Sequence, residues 1–216
     1  MRFRTPFCLA LSGLALGLLC SLPAVAKPVY LVELANFACP HCNHMESFVP
    51  KISAAVRATG GEFDFAPVRA KGQTDAAALV YFAARKQGLG AARITRTLLF
   101  EAMYNDGEPI QSVTQGVVFL EQDWPKSEPM PNFSEMTAAT STNPVQRSAL
   151  KAMQLGLSLG VSKLPAFVFI KNGKPGLVLE RGRQYPTEPQ LATSVMAAIA
   201  KQSDGTPEPL ATPSNP

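Results

Sequence analysis

The sequence predicts an α/β chain: a mixed sheet flanked by helices, with a block of helices inserted at the crossover in its middle. Three observations predict it. A strand, a helix and a second strand read in succession between Pro28 and Val68. A compact β-rich run at Ala166–Ile170 is followed by Asn172-Gly173, a strong hairpin signal, and then by a returning strand. Between these two parts the chain from Thr74 to Leu159 carries helical patterns.

Pro28 to Phe37 is almost continuously apolar, which suits a central strand buried on both faces. Pro40 fits the first turn of a helix, expected to run through Phe48 and Ile52 to about Ala58 with a kink at Pro50. Gly60-Gly61 ends it, and Glu62 to Val68 reads as a second strand, parallel to the first through a right-handed crossover. Helices are expected over Asp75–Gln87, Ala91–Met103, Val113–Glu121 and Val145–Leu159, with a proline-rich loop from Trp124 to Asn132. Gly176 to Arg181 supplies the returning strand, and Thr187 caps a last helix that reaches about Gln202. The tail 203–216 holds four prolines and reads as disordered. Segments 27–71 and 160–202 thus form one α/β domain, and 72–159 a helical subdomain within it.

The N-terminus indicates export. Arg2 and Arg4 precede an apolar run from Phe7 to Leu22, and Ala24-Val25-Ala26 provides the small residues that a signal peptidase reads. Cleavage is expected after Ala26. An uncleaved anchor is the alternative, since the run approaches spanning length, but Pro23 and the Ala-Val-Ala tripeptide favour cleavage. Leu19, ahead of Cys20, is not the small residue that lipid attachment wants.

Cleavage simplifies the cysteines. Cys8 and Cys20 leave with the leader, and Cys39 and Cys42 remain. Structural disulfides in exported proteins are spread along the chain, and a bond closing so short a loop constrains the unfolded state little. Of the 20 Lys and Arg residues two also leave, and against 16 acidic residues the mature charge is about +2. No basic stripe interleaved with aromatics occurs, so nucleic-acid binding has no support. About 190 residues remain, enough for one domain with a substantial core.

A dithiol catalyst needs one accessible thiol that ionises near neutral pH, because the thiolate is the nucleophile. Cys39 falls where strand hands over to helix, and unpaired backbone N–H groups there favour an anion. Pro40 sets the first turn, and His41 offers a hydrogen bond or a positive charge beside the sulfur. Cys42, one turn in, is the resolving thiol. Three other readings compete. Zinc could take Cys39, Cys42, His41 and His44, but four ligands within six residues cannot easily surround one ion. Haem attachment needs His directly after the second Cys, where Asn43 stands. The third is an inert structural disulfide.

The segment Phe37-Ala38-Cys39-Pro40-His41-Cys42 resembles the active site of the DsbA family of periplasmic thiol oxidants. The resemblance implies a thioredoxin fold with a helical insertion, a strongly oxidising pair, no cofactor and no metal. It also implies reduced exported proteins as substrates, a DsbB-like quinone-linked membrane oxidase as regenerating partner, and a monomer. Gly160 to Phe167 is similar to the family's cis-proline segment, so Pro165 is expected to be cis, with Leu164 presenting its backbone to an extended substrate. An ordinary strand-opening proline is the alternative. Glu33 matches the family's buried acid that assists proton transfer at the second thiol, against the alternative of a solvent-facing strand residue. His44 reads as a surface residue, and Phe37 as packing beneath or beside the motif. Two features depart from the family: an extra N-terminal edge strand is expected to be missing, and the Trp124–Phe133 loop has no counterpart.

An oxidase is the leading reading. An isomerase would want a dimerisation domain ahead of the motif, and only about a dozen mature residues are available. A reductase and a client-holding chaperone with a secondary redox site are the further alternatives.

Overall fold

The structure, a computed structural model, describes residues 26–104, 107 and 109–204. The leader through Val25 and the tail from Gly205 lie outside the described residues, and so do the expectations of signal cleavage and tail disorder that rest on them.

The strand expected at Pro28–Phe37 is β1, Tyr30–Ala35. It runs parallel to β2, Glu62–Pro67, and antiparallel to β3, Ala166–Lys171, which pairs antiparallel with β4, Lys174–Glu180. The described sheet therefore has the order β2-β1-β3-β4, with β1 and β3 at its centre. Both faces of those two strands are buried, as a nearly unbroken apolar run requires. Alternate residues serve different cores. Leu34, Ala166 and Val168 pack toward the helical insertion, whereas Leu31, Phe167 and Phe169 pack with Ile52, Val56, Leu191 and Val195.

The β3–β4 hairpin turns on Asn172 and Gly173, at φ 53° and 71°. Both lie in the left-handed region that Asn-Gly adopts in such turns. At the start of β2, Gly61 is required for space: a Cβ there would stand 1.8 Å from the carbonyl oxygen of Val29.

The expected single kinked helix is in fact two, α1 at Pro40–Met45 and α2 at Val49–Ala58. Pro50 lies in the first turn of α2, where its missing N–H costs nothing, so it starts a helix rather than bending one. The insertion contains α3 (Ala76–Lys86), α4 (Leu89–Tyr104), α5 (Val113–Asp123), α6 (Phe133–Thr140) and α7 (Asn143–Ser158). No helix is expected from the sequence at α6, yet a start signal is present: the Asn132 side chain accepts from the Glu135 N–H at 3.0 Å, as an N-cap does. The preceding loop is pinned by Trp124, which is buried against Phe133 and donates from its indole to the Pro129 carbonyl at 3.2 Å. The last helix, α8, spans Glu188–Ser203 with Thr187 at its N-cap, although the Thr187 side chain makes no capping bond.

Candidate active site

The chain leaves β1 at its C-terminal end and turns at once into α1, so Cys39 is the N-cap of that helix, in extended conformation. Asn36 holds the turn. Its side chain accepts from the Ala38 N–H at 2.7 Å and donates to the Val68 carbonyl at 2.8 Å and to Gln73 at 2.6 Å. Its backbone N–H points at Cys42 Sγ, 3.4 Å away. Phe37 is buried beneath the motif, its ring 5.0 Å from that of Phe100 and 5.6 Å from that of Phe65.

The two thiols, both free, occupy different environments. Cys39 is half-buried, and its Sγ lies 3.8 Å from the carbonyl oxygen of Leu164. The Leu164–Pro165 peptide is cis. The segment before it is tied to β4, since Glu180 accepts from the Ser162 N–H at 3.0 Å and the Pro165 carbonyl accepts from the Arg181 N–H at 3.1 Å. The Cys39 thiol is brought down from its ordinary 9.0 to about 6, first by interaction with the Cys42 thiol and then by the backbone N–H groups of Cys42 and His41 and the charge of His41, with burial acting against them. Cys42 is fully buried, and burial, together with the neighbouring Cys39, pushes its thiol far up. The dithiol is thus asymmetric.

Beneath the pair lies a charged cluster of which only Glu33 stands out in the sequence. Glu33 is completely buried, not solvent-facing. One of its oxygens, Oε2, accepts from Arg96 Nη2 at 2.7 Å, and the other has no partner among the described residues. Arg96, from α4, also grips Glu46 with its Nε at 2.9 and 3.0 Å from the two carboxylate oxygens, and its guanidinium stacks 4.0 Å from the Phe65 ring centre. Burial pushes the Glu33 carboxyl up to about 7, Arg96 pulls it down, and Glu46 adds to the rise. Glu33 is in turn near enough for its charge to raise Cys42. The open side of the cluster faces a groove of about 820 Å³ lined by α1, α2, β2, α3 and α4.

Pro40 opens α1 on the exposed surface. The His41 ring turns toward α8, where Nδ1 stands 2.8 Å from Glu188 Oε1 without the alignment of a hydrogen bond. His44 is exposed, as expected. Tyr104, at the end of α4, has a buried hydroxyl without a described partner, and burial and the charges of both cysteines push it up to about 12. Arg96, Glu188 and Tyr104 do not stand out in the sequence, because each reaches the motif from another element, and Glu46, at the end of α1, is marked only by the Arg96 it meets.

No protein-family profile and no curated protein matches the chain. Solved structures do. DsbA from Xylella fastidiosa is 20% identical, with a TM-score of 0.64 over 82% of this chain and 88% of that one. DsbA from Pseudomonas aeruginosa is 19% identical, with a TM-score of 0.65 over 86% and 88%. A Nitrosomonas europaea protein assigned as a protein disulfide isomerase is 12% identical, with a TM-score of 0.65 over 82% and 99%. With its mixed sheet, its helices α3–α7 between β2 and β3, and its cysteine pair at the start of α1, the chain has the thioredoxin fold in its DsbA form.

Proposed function

We propose that the chain is a thiol:disulfide oxidoreductase that introduces disulfide bonds into exported proteins through Cys39-Pro40-His41-Cys42. The observation that carries this reading is the asymmetry of the pair: an accessible thiol of lowered pKa beside a buried one whose ionisation is opposed.

The mechanism follows from that asymmetry. In the oxidised protein a substrate thiolate attacks Cys39 Sγ, the Cys39–Cys42 bond breaks, and the electron pair leaves on Cys42. A buried thiolate there is unfavourable, and Glu33, whose carboxyl holds its proton up to about pH 7, supplies the proton. The substrate's second thiolate then attacks its own sulfur in the mixed disulfide and expels Cys39 as thiolate, a good leaving group because its pKa is low. Two electrons pass from the substrate dithiol to the protein. Pro40 sets the first turn, and the Leu164 carbonyl, facing Cys39 across cis-Pro165, offers main-chain recognition to an extended substrate segment.

Regeneration falls to a DsbB-like, quinone-linked membrane oxidase that takes the two electrons back from Cys39 and Cys42. The periplasm is the compartment, on the strength of the leader sequence. No described helix is long and apolar enough to cross a membrane.

The test is oxidation of a reduced, unfolded two-cysteine protein by the purified disulfide form. Stoichiometric oxidation well above background, lost in Cys39→Ala, is expected. Background rates would remove the oxidase reading, and a redox potential near about −270 mV, that of thioredoxin, would turn it into a reductase. A Cys39→Ala variant that still prevents client aggregation at full strength would instead favour a holding chaperone.

A further inference from the structure

On the rim of the dithiol, α1 and α8 bring together three side chains that bind metals elsewhere. His41 and His44 are one helical turn apart, so their imidazoles share a face of α1. Glu188 enters from the first turn of α8, which packs against α1. One ligand atom from each of the three lies within 4.8 Å of the other two. His41 Nδ1 is buried and has no hydrogen-bond partner, although Glu188 Oε1 is only 2.8 Å away. A ring nitrogen and a carboxylate oxygen facing the same space, and not aligned to share a proton, are what a cation between them would satisfy.

We propose that His41, His44 and Glu188 bind a divalent cation of the zinc class beside Cys39, and that the bound cation slows dithiol exchange. The second half rests on the oxidoreductase reading above, and the first does not. Two imidazoles and one carboxylate suit zinc with one coordination position left open. Bonds of about 2.0–2.2 Å put such ligands roughly 3–4 Å apart, so the widest separations in the set, up to 4.8 Å, close by about an ångström while His41 Nδ1 and Glu188 Oε1, at 2.8 Å, open slightly. Arg181 Nε donates to Glu188 Oε1 at 2.8 Å, an outer partner of the kind that orients a ligating carboxylate, although its charge weakens the site.

This set differs from the one drawn from residues 39–44 alone. It needs no thiol, and its third ligand comes from a distant part of the chain, so the ligands approach from two elements and can surround an ion. A cation held there ties up the His41 ring, which can then no longer offer a hydrogen bond to the Cys39 sulfur.

The experiment titrates Zn²⁺ into the disulfide form of the full protein in chelator-stripped buffer, following binding by calorimetry in the wild type, His44→Ala and Glu188→Gln. One Zn²⁺ per wild-type chain is expected, with affinity lowered by more than about tenfold in both variants, the scale on which even outer partners of a metal site act. Thiol oxidation is then timed with Zn²⁺ and with EDTA. Zn²⁺ should slow the wild type and leave His44→Ala untouched, and the two should run at equal rates in EDTA. Absence of binding to the disulfide form, or undiminished binding in His44→Ala, overturns the site. Binding confined to the reduced protein assigns the ion to the cysteines and overturns it equally. Binding without slowing overturns the inhibitory half. Failure of both proteins to oxidise thiols in EDTA would instead reject the oxidoreductase reading and leave the binding result standing.

Discussion

The sulfur of Cys39 lies 3.8 Å from the carbonyl oxygen of Leu164, a residue from the far end of the chain's fold. Cys39 is half-buried there, while Cys42 is enclosed. Alkylation of the reduced protein should therefore follow Cys39 alone, with a midpoint near pH 6. Cys42 should stay unmodified across the neutral range, since burial holds its thiol protonated. Mass spectrometry of quenched samples checks both, and a Cys39 midpoint at the ordinary 9.0 would contradict the asymmetry.

The same depression predicts how redox state and pH jointly set stability. Cys39 is lowered in the folded reduced protein from 9.0 to about 6, so its contribution is fully present above pH 9 and is lost as pH falls through 6. Relative to the disulfide form, the reduced form should gain stability as pH rises across that window. Urea unfolding of both forms at pH 5.5, 7 and 8.5, chosen to bracket roughly that interval, measures the difference.

Glu33→Gln separates chemistry from stability. Loss of the proton donor should slow formation of the mixed disulfide by about 10²-fold, the lower end of what a positioned acid contributes. Alkylation of Cys39 should change little. The wild-type carboxyl is raised from 4.5 to about 7, so its ionisation costs stability progressively as pH rises through that range. The variant should therefore gain on the wild type between pH 5 and pH 8. Single-turnover kinetics and parallel unfolding curves report the two effects, and unchanged kinetics would remove Glu33 from the proton path.

Arg96 compensates two buried carboxylates at once, and its removal should be severe. Arg96→Met leaves Glu33 and Glu46 facing each other without a cation, which costs about 3–5 kcal/mol when a buried pair is broken from one side. The loss should be smaller at pH 5 than at pH 8, because burial raises both carboxyls and acid protonates them. Denaturant unfolding of the disulfide form at the two pH values tests the sign.

Trp124 anchors the loop before α6 by packing on Phe133 at a ring separation of 5.8 Å and by bonding to Pro129. Trp124→Ala should cost about 3–5 kcal/mol, the range for removing a large buried aromatic. Hydrogen exchange should localise the loosening to α5 and α6, and uniform protection would show that the loop is not held by this side chain.

Most of the sheet could be read from the chain. A run as apolar as Leu31–Ala35, interrupted only by Glu33, has few other uses, and Asn172-Gly173 is a local turn signal that needs no tertiary information. The cysteine pair was equally plain, since a two-residue spacing at the start of a helix is a local property. Pro50 and α6 were misread or missed for local reasons too: proline both ends and starts helices, and only the backbone before it decides which. In contrast, the electrostatics of the site could not be read. Glu33 looks like any strand glutamate until Arg96, 63 residues later, folds over it.

By itself the sequence determined the mixed α/β architecture and the dithiol at Cys39 and Cys42. Each rests on periodicity, spacing or turn chemistry within a few consecutive residues. Only the tertiary structure decided which thiol is the more accessible, what charges Glu33 meets, and that His41 Nδ1 stands beside Glu188. Burial and Coulomb interactions depend on distances in space between elements, and those are created when the helices pack onto the sheet.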